Sequence, residues 1–261
     1  MPAKAKPVLS VWAPVETAEP EPSQPALSRD AIVREAVRML DAEGIEALSM
    51  RKLGGRLNAG ATSLYRHVAT KDALMELAVD EVFGEIVVPP ASRARQDWRA
   101  AATGAAESFR ATALRHPWLA SVLGQAGLAY LGPNLMSVTE RLAALFTAAG
   151  FPDPRGAIDT MLSCVIGFST TEAAWLTTVA RSGLTEAEFV ARLMPAAQRA
   201  AAGHEHLAGS IGPEPAADPA RVRADKFAYG LAVVLDGLEL RLTRLYGVIR
   251  GKRCIPGCRA G

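Results

Sequence analysis

Residues 49–71 read SMRKLGGRLNAGATSLYRHVATK, and this stretch decides the fold of the N-terminal part of the chain. Its apolar residues have the spacing of two short helices joined by a glycine-containing turn. It contains no Asp or Glu but five basic residues: Arg51, Lys52, Arg56, Arg66 and Lys71. Phosphates supply most of the attraction in a protein–DNA complex, and short polar side chains near a helix start can touch base edges. The stretch therefore predicts a helix-turn-helix that binds double-stranded DNA.

Helix boundary signals on both sides of this stretch predict two further helices. A hydroxyl residue, which is a good N-cap, precedes three of the four helices: Ser28, Ser49 and Thr70. Gly44 ends the first helix. The dipeptide Pro89-Pro90 marks the end of the fourth helix and a domain boundary.

The third helix is very short, predicted over about 62–67 after a turn at 58–60. Leu64 and Val68 lie four residues apart and point inward, which leaves the other residues of this helix outside. The residues expected to contact DNA are Ser49, Arg51, Lys52, Thr62, Ser63, Tyr65, Arg66, His67 and Lys71.

These residues are expected to make different kinds of contact. Tyr65 offers a hydroxyl to a phosphate, and Lys71 meets the next phosphate together with backbone N–H groups. Arg51 reaches a base edge or the phosphate rim, and an arginine can bind guanine bidentately. Other interpretations stay open for five residues. Three could be solvated charges, one an internally packed ring and one a core aromatic: Lys52, Arg56 and Arg66, then His67, then Tyr65.

The composition of the whole chain predicts an all-α protein. The chain has 261 residues, of which 49% are hydrophobic, and β-branched runs are rare. The formal net charge of +2 is too small to imply DNA binding, so the evidence is where the positive charge sits. No segment has the pattern of a membrane span or a secretory leader, and cytoplasmic residence is expected.

The chain divides into four segments by composition. The first contains six prolines and too little apolar content to offset its ordering entropy, so it is expected to be disordered. Two thiols without a nearby His are a poor metal site, which leaves any role of Cys254 and Cys258 open. The expected segments are a disordered arm at 1–27, a helix-turn-helix domain at 28–88, a larger helical domain at 91–250 and a flexible tail at 251–261.

The helical pattern continues beyond Pro90. The sequence Thr185-Glu-Ala-Glu188 has the form of a capping box, which fixes one helix start. Residues 203–219 are rich in Gly, Pro and Ala and are expected to form a mobile loop. The predicted helices are Gln96–Arg115, Trp118–Leu123, Pro133–Ala149, Pro154–Arg181, Glu186–Arg199 and Arg221–Arg250.

The run GIEALSMRKLGGRLNAGATSLYRHVATKDALMELAVDEV at 44–82 resembles the DNA-binding domain of the tetracycline-repressor (TetR) family. The resemblance is carried by Gly44-Ile45, Ser49–Leu53, Ser63–Val68 and Lys71–Leu74. The LYxHV pattern followed by a lysine is its most specific part, and the resemblance covers about residues 28–85. The C-terminal half also looks like that of the family, through HPWL at 116–119 and VVLDGLELRL at 233–242.

The resemblance implies an all-helical homodimer that regulates transcription. Residues 90–250 would then bind a small effector and form the dimer interface, and effector binding would move the two reading heads apart and release a pseudo-palindromic operator. Gly60-Ala61-Thr62 stands where the tetracycline repressor itself has a larger polar residue and a proline, so the operator sequence is not carried over. Carried over by position, Arg51 reads a base, and the other DNA contacts are Ser63, Tyr65, His67 and Lys71.

Two long helices, Pro154–Arg181 and Arg221–Arg250, are predicted to form a four-helix dimer bundle with their copies. Their apolar residues at helical spacing are Ile158, Met161, Leu162, Val165, Ile166 and Phe168 on the first and Phe227, Leu231, Val234, Leu235, Leu238, Leu242 and Leu245 on the second.

A ligand cavity needs aromatic walls and a few polar groups. Glu172 is expected to orient a cationic or hydroxylated ligand, although aromatic residues at helical spacing also fit ordinary core packing. His116 has no matching set of ligands, so neither a metal-chelated ligand nor a protein-bound metal or cofactor is expected. The candidate pocket residues are Trp118, Leu123, Tyr130, Met136, Phe168, Thr171, Glu172 and Trp175.

The sequence thus favours a dimeric, sequence-specific transcriptional regulator, a repressor that a small-molecule effector releases from its operator. The alternative is a constitutive DNA-binding regulator without an effector. The chain contains no Ser/His/Asp set, Gly-rich phosphate loop or HExxH motif, which argues against an enzyme.

Overall fold

The computed structural model describes residues 27–90, 97–123, 132–208 and 218–251. These residues form α-helices and one 3₁₀ turn at Ile45–Ala47, with no strand among them, and the predicted all-α fold is confirmed. The helices are α1 (Arg29–Glu43), α2 (Met50–Arg56), α3 (Ala61–Tyr65), α4 (Lys71–Phe83), α5 (Trp98–Arg115), α6 (Trp118–Leu123), α7 (Pro133–Ala149), α8 (Pro154–Ser182), α9 (Glu186–Ala201), α10 (Glu205–Ala208) and α11 (Pro219–Gly251).

Several predictions from the sequence fall outside the described residues. These are the arm up to residue 26, Tyr130, and the tail with Cys254 and Cys258. Among the described helices, none combines the length and the apolar content that crossing a bilayer requires.

Hydroxyl caps start three of the first four helices, as predicted. Ser28 Oγ accepts the N–H of Ala31 at 3.1 Å, and Thr70 Oγ1 accepts the N–H of Ala73 at 2.9 Å. Gly44 ends α1 with a left-handed φ of 79°, a conformation that favours glycine.

Several boundaries differ from the prediction, most clearly the ends of α3 and α4 and the loop predicted at 203–219. Helix α3 ends at Tyr65, and the chain continues as a turn in which Val68 N–H donates to Leu64 O at 2.9 Å. Helix α4 ends at Phe83 rather than at the prolines, because the segment after it is held extended against α5, where Val87 N–H donates to Ser108 Oγ at 2.8 Å. The segment predicted as a loop at 203–219 contains the short helix α10.

One continuous apolar core runs through both parts of the described chain. In the first part it joins α1 to α4 through residues such as Leu40 and Leu74. In the second part, Trp98 packs on both Phe146 and Phe151, with ring centroids 6.0 and 5.0 Å away. The two parts are therefore packed together, and α4 lies against α7.

The residues predicted for the dimer face mostly belong to this core, which corrects that prediction. Helix α11 packs along α8 within one chain. The predicted residues that are buried in the core are Ile158, Met161 and Val165 of α8 and Phe227, Leu231, Leu235, Leu238 and Leu242 of α11. The side chain of Leu245 lies outside the described part of the chain.

A polar joint ties α1 to the start of α6. Asp41 Oδ1 lies 2.7 Å from His116 Nδ1 and accepts the indole N–H of Trp118 at 2.7 Å. The other ring nitrogen of the buried His116 lies 3.2 Å from Glu85, just after α4. Although partial burial opposes it, hydrogen bonds from Arg115 and His116 hold the pKa of Glu85 below its ordinary value.

A second joint ties α4 to the start of α7. The carboxylate of Asp80 accepts the N–H groups of Asn134 and Leu135 at 3.3 and 3.0 Å. An added Cβ on Gly132 would come within 2.1 Å of Asp80, so the chain needs a glycine there. Because a carboxylate also complements the helix dipole, α4 and α7 are held together at this point.

Candidate nucleic-acid interface

The close crossing of α2 and α3 depends on one glycine. Gly54 is buried, and a Cβ added to it would lie 2.5 Å from the backbone oxygen of Ala59. The turn between the helices places Asn58 at a φ of 50° and returns the N–H of Ala59 to Gly54 O at 2.8 Å. The buried Leu64 fixes α3 on this crossing, so the opposite side of α3 faces outward.

The outward side of α3 has the residues that the sequence predicts for it. Tyr65 is 51% exposed although it is a large aromatic residue. Ser63 is half-buried. The exposed polar residues on and just after α3 are Thr62, Arg66 and His67. The alternative in which His67 packs internally does not describe this structure.

Three exposed cations near this side have no ion-pair partner among the described residues. They are Arg51, early in α2, Arg66, just after α3, and Lys71, the first residue of α4. Lys71 lies where the N–H groups of a helix start are available to an anion. Exposed, unpaired cations beside a helix that projects outward suit the backbone of a nucleic acid.

The other two basic residues of the stretch are paired with acids of α1. Lys52 Nζ contacts Glu43, and Arg56 donates to Glu35 at 3.1 Å and to Glu43 at 2.8 Å. These pairs connect α1 to α2, which the interpretation of Lys52 and Arg56 as freely solvated charges did not foresee. The backbone N–H of Lys52 donates to Ser49 Oγ at 3.2 Å, so the Ser49 side chain caps α2.

The ion pairs lower the pKa values of both acids, Glu35 and Glu43. The hydrogen bond from Lys52, with the charges of Lys52 and Arg56, holds the pKa of Glu43 below its ordinary value against a smaller opposing effect of desolvation. For Glu35, burial opposes the shift, but hydrogen bonds from Arg38 and Arg56 still lower its pKa. Both carboxylates therefore stay ionised, and paired, through the neutral range.

The candidate ligand residues of the C-terminal helices do not all come together. Trp118 lies in the joint with Asp41, and Met136 and Thr171 are exposed. Glu172, Phe168 and Trp175 do share one region, where α8 faces its neighbours. Leu123 is half-buried at the end of α6, and Tyr130 lies outside the described residues.

Glu172 is the centre of a charge network that the sequence did not predict. It is 8% exposed and accepts Arg110 Nε and Nη2 at 2.7 and 2.6 Å. Arg223 Nε donates to Glu172 Oε1 at 3.0 Å, and its Nη1 contacts Glu186. Glu186 also accepts the indole N–H of Trp175 at 2.6 Å. Burial opposes it, but hydrogen bonds to Glu186 and Glu172 hold the pKa of Arg223 above its ordinary value.

The sequence spacing of Arg110 and Arg223 relative to buried residues already indicated that both arginines face inward. Arg110 lies four residues after Ala106 and three before Ala113, so it shares the buried face of α5. Arg223 lies four residues before the buried Phe227. A lone charge on an apolar face indicates a buried ion pair, but not which acid completes it.

Comparisons with known proteins agree with this geometry. Residues 32–78 match the family described as bacterial regulatory proteins, tetR family, and residues 90–242 match the tetracyclin repressor-like C-terminal domain. The chain is 34% identical over 227 residues to the HTH-type transcriptional repressor DrrR1 of Streptomyces coeruleorubidus, covering 86% of this chain and 82% of that repressor. It is 41% identical over 155 residues to an HTH-type transcriptional regulator of Saccharopolyspora erythraea, covering 59% of this chain and 64% of that regulator, which is less than two thirds of its length.

Solved structures give the same result. The crystal structure of ActR, a TetR family protein of Streptomyces coelicolor, in complex with actinorhodin matches with a TM-score of 0.66 at 31% identity. The match covers 82% of this chain and 97% of ActR. The helix-turn-helix and the C-terminal helices are thus both matched, and the chain belongs to the tetracycline-repressor (TetR) family of bacterial transcriptional regulators, which bind DNA and are not enzymes.

Proposed function

We propose that this regulator is a dimeric repressor that binds a pseudo-palindromic operator through α3 and leaves it when a small-molecule effector binds the C-terminal helices. The observation that carries the DNA-binding part is the outward side of α2 and α3, where Arg51, Arg66 and Lys71 are exposed and unpaired among the described residues. As a regulator of transcription it acts where the chromosome is, in the cytoplasm.

The proposed contacts divide into two kinds. Arg51 reads a base edge, and Thr62 and Arg66 lie beside the bases that α3 crosses. Tyr65 and Lys71 bind phosphates on the two sides of the groove. The remaining proposed contacts, to the DNA backbone, are made by Ser49, Lys52, Ser63 and His67.

These roles are tested by measuring binding at several salt concentrations and to duplexes of different sequence. A duplex selected from a random pool by the wild-type protein serves as the operator probe. Tyr65→Phe removes one hydroxyl and is expected to weaken binding to every sequence alike. Arg51→Gln is expected to change which bases are selected, by about 1–3 kcal/mol of discrimination at one position in each half-site. If Arg51→Gln selects the same sequence as the wild type, Arg51 does not read a base.

A stripe on α11 supports dimerisation. Its exposed apolar residues recur at spacings of seven, four and seven: Val222, Tyr229, Val233 and Leu240. At about 100° per residue this stripe lies opposite the face of α11 that packs into the core. Between positions 160 and 180 the exposed residues of α8 are small, among them Thr160, Gly167 and Ala174, and small residues permit close helix approach. A second copy of the chain would cover both faces with a four-helix bundle.

Charge placed in the stripe tests this interface. Tyr229 is 74% exposed, so Tyr229→Asp does not disturb the core of one chain. We expect this variant to sediment as a monomer, whereas the control Leu193→Asp, at an exposed residue of α9, stays dimeric. A monomeric Leu193→Asp or a dimeric Tyr229→Asp would place the interface elsewhere. In a dimer, the half-sites are expected to lie about 34–36 Å apart.

The effector part of the proposal is supported by a relative and by the two polar joints. ActR has been crystallised with actinorhodin, a small molecule. The joint at Asp41 connects α1 to α6, and the joint at Asp80 connects α4 to α7. A shift of the C-terminal helices would therefore rotate the DNA-binding helices of each chain. A compound library screened by thermal shift and by release of the operator probe tests it. If no compound that binds releases DNA, the regulator is constitutive.

A further inference from the structure

Two acids of α1 bind cations that lie beside the proposed DNA-binding surface. Glu43, the last residue of α1, contacts Lys52 Nζ and accepts Arg56 Nη2 at 2.8 Å. Glu35, about two turns earlier on α1, accepts Arg56 Nη1 at 3.1 Å. Lys52 follows Arg51 in the first turn of α2, and Arg56 lies one turn later on the same face as Lys52. The chain therefore neutralises two cations of α2 and leaves their neighbour Arg51 exposed.

These ion pairs lie at the surface rather than in the core. The side chains of Lys52 and Arg56 are 47% and 36% exposed, and that of Glu43 is 28% exposed. Exposed ion pairs contribute little to stability, because water solvates both charges and holding two long side chains costs entropy. Their effect on the fold is therefore small, whereas their effect on the charge of the surface is large.

A cation that is paired with an acid of its own chain attracts DNA less than a free cation does. Each phosphate that a lysine or arginine neutralises releases counterions, and the affinity gained in this way does not depend on sequence. Lys52 has three N–H donors, so it can touch a phosphate and keep Glu43. It then brings a carboxylate close to the DNA, which the phosphates repel.

The restraint acts most strongly on DNA that lacks the operator sequence. On an operator, base contacts such as the one proposed for Arg51 fix the position of α2, so a freed cation could reach only the phosphates which that position offers. On other DNA no base contact holds the protein, and it settles where its free cations meet phosphates best. Because a genome offers a large excess of such sites, the ratio of the two affinities decides where a regulator binds.

We propose that Glu43 is a specificity-determining residue of this regulator: by pairing with Lys52 and Arg56, it limits binding to DNA that lacks the operator sequence. Glu35 assists by binding the same guanidinium of Arg56. The proposal rests on the DNA-binding surface proposed above and adds to it two residues of α1 that touch no DNA themselves.

Binding to a non-operator duplex gives the first test. This duplex has the length and composition of the operator probe but a scrambled sequence, and fluorescence anisotropy follows binding across a salt series. We expect Glu43→Gln to tighten binding by about threefold to tenfold in about 0.1 M salt, and to steepen the slope of log K against log salt by about 0.9 for each cation that becomes free. Binding to the operator probe should tighten less, so the ratio of operator to non-operator affinity falls. An unchanged ratio would overturn the inference.

Glu46→Gln is the matched control. Glu46 lies three residues after Glu43, is exposed and has no ion-pair partner in the described part of the chain. Its replacement changes the net charge equally but frees no cation, so we expect a change of less than about twofold on either duplex. If Glu46→Gln tightens binding as much as Glu43→Gln, net charge rather than pairing is responsible and the inference fails.

A double-mutant cycle gives the second test. In the variant Lys52→Gln/Arg56→Gln no cation remains for Glu43 to hold, so adding Glu43→Gln should change its binding to the non-operator duplex by less than about twofold. A full effect in this background would show that Glu43 acts without these cations and would contradict the proposal. All the replaced residues are exposed, and a thermal melt of each variant checks that it is folded.

Failure of this inference is separable from failure of the proposed function. If Glu43→Gln binds both duplexes as the wild type does while Lys71→Gln binds the operator more weakly, the role of Glu43 is wrong and the DNA-binding surface stands. If the wild type binds the operator no better than the scrambled duplex, the proposed sequence-specific function itself fails.

Discussion

The two parts of the regulator differ in whether their basic side chains are paired with acids. On α2, α3 and the start of α4, Arg51, Arg66 and Lys71 are exposed and have no ion-pair partner in the described chain. Between α5, α8 and α11, Arg110 and Arg223 are mostly buried and are neutralised by acids of the same chain. The first arrangement leaves charge available to a polyanion, and the second uses charge to hold helices together.

The difference teaches that the number of charges says little about a surface. The net charge of the chain is only +2, yet one surface is locally basic, because its cations lack partners. The same residue types between α5, α8 and α11 create no such surface, because Arg110 and Arg223 are each paired with a carboxylate.

The largest effect is expected from Glu172→Gln. The variant keeps the shape of the side chain but leaves Arg110 and Arg223 short of one negative charge in a place with little water. Breaking a buried pair on one side costs about 3 kcal/mol, so the free energy of unfolding in urea should fall by that amount. Glu239→Gln, which breaks an exposed pair with Arg99, is the control and should cost less than about 1 kcal/mol. Equal losses would mean that burial does not distinguish the two networks.

A somewhat smaller effect is expected where the DNA-binding surface depends on backbone shape. In Gly54→Ala the new Cβ meets the backbone oxygen of Ala59, which cannot move aside without opening the turn. We expect a loss of about 1–3 kcal/mol in the free energy of unfolding and weaker binding to the operator probe.

The adjacent glycine gives the matched control. A Cβ on Gly55 meets nothing within 4 Å, so Gly55→Ala should stabilise α2 by up to about 1 kcal/mol through helix propensity. If both variants behave alike, the crossing of α2 and α3 is not set by the space at Gly54.

Local signals made most of this fold predictable. The caps at Ser28, Ser49 and Thr70 and the capping box at Thr185 are all present in the structure, because a cap depends on residues only three positions apart. Helix α7 begins and ends where its proline and glycine predict. The end of α4 was predicted less well, because it depends on contacts with a distant helix.

The candidate sites were predictable to different degrees, because some depend on local sequence and others on contacts with distant helices. The outward residues of α3 follow from one helix and its periodicity, so Tyr65 and His67 were predicted to be exposed and are. Whether they contact DNA stays a prediction. The partners of Glu172 lie 62 and 51 residues away, and periodicity can say that Arg110 faces inward but not what it meets. Likewise, periodicity identified the apolar face of α11 with Phe227 and Leu231, but not that this face packs inside the chain.

A smaller effect is expected from removing single cations at the DNA-binding surface. Lys71→Gln removes an exposed, unpaired charge, so the slope of log K against log salt should fall in magnitude by about 0.9 for each phosphate that the lysine neutralises. In Lys52→Gln the charge that is removed was already paired with Glu43, so its slope should change less. Fluorescence anisotropy on the same duplex across a salt series measures both. A larger change for Lys52→Gln would mean that DNA displaces Glu43 from it.

The smallest effect is expected at low pH, where protonation of Glu35 and Glu43 leaves Lys52 and Arg56 without ion-pair partners. Glu35 and Glu43 have pKa values below the ordinary one, so the stability they contribute is fully present above the unfolded value of about 4.3 and is lost as the pH falls further, through their folded values. The double variant Glu35→Gln/Glu43→Gln lacks these carboxylates. Below a pH of about 4.3 the Tm of the wild type should therefore decline more steeply than that of the variant. Parallel declines would show that the α1–α2 pairs add nothing to stability, and that Lys52 and Arg56 are as available to DNA as Arg51, Arg66 and Lys71.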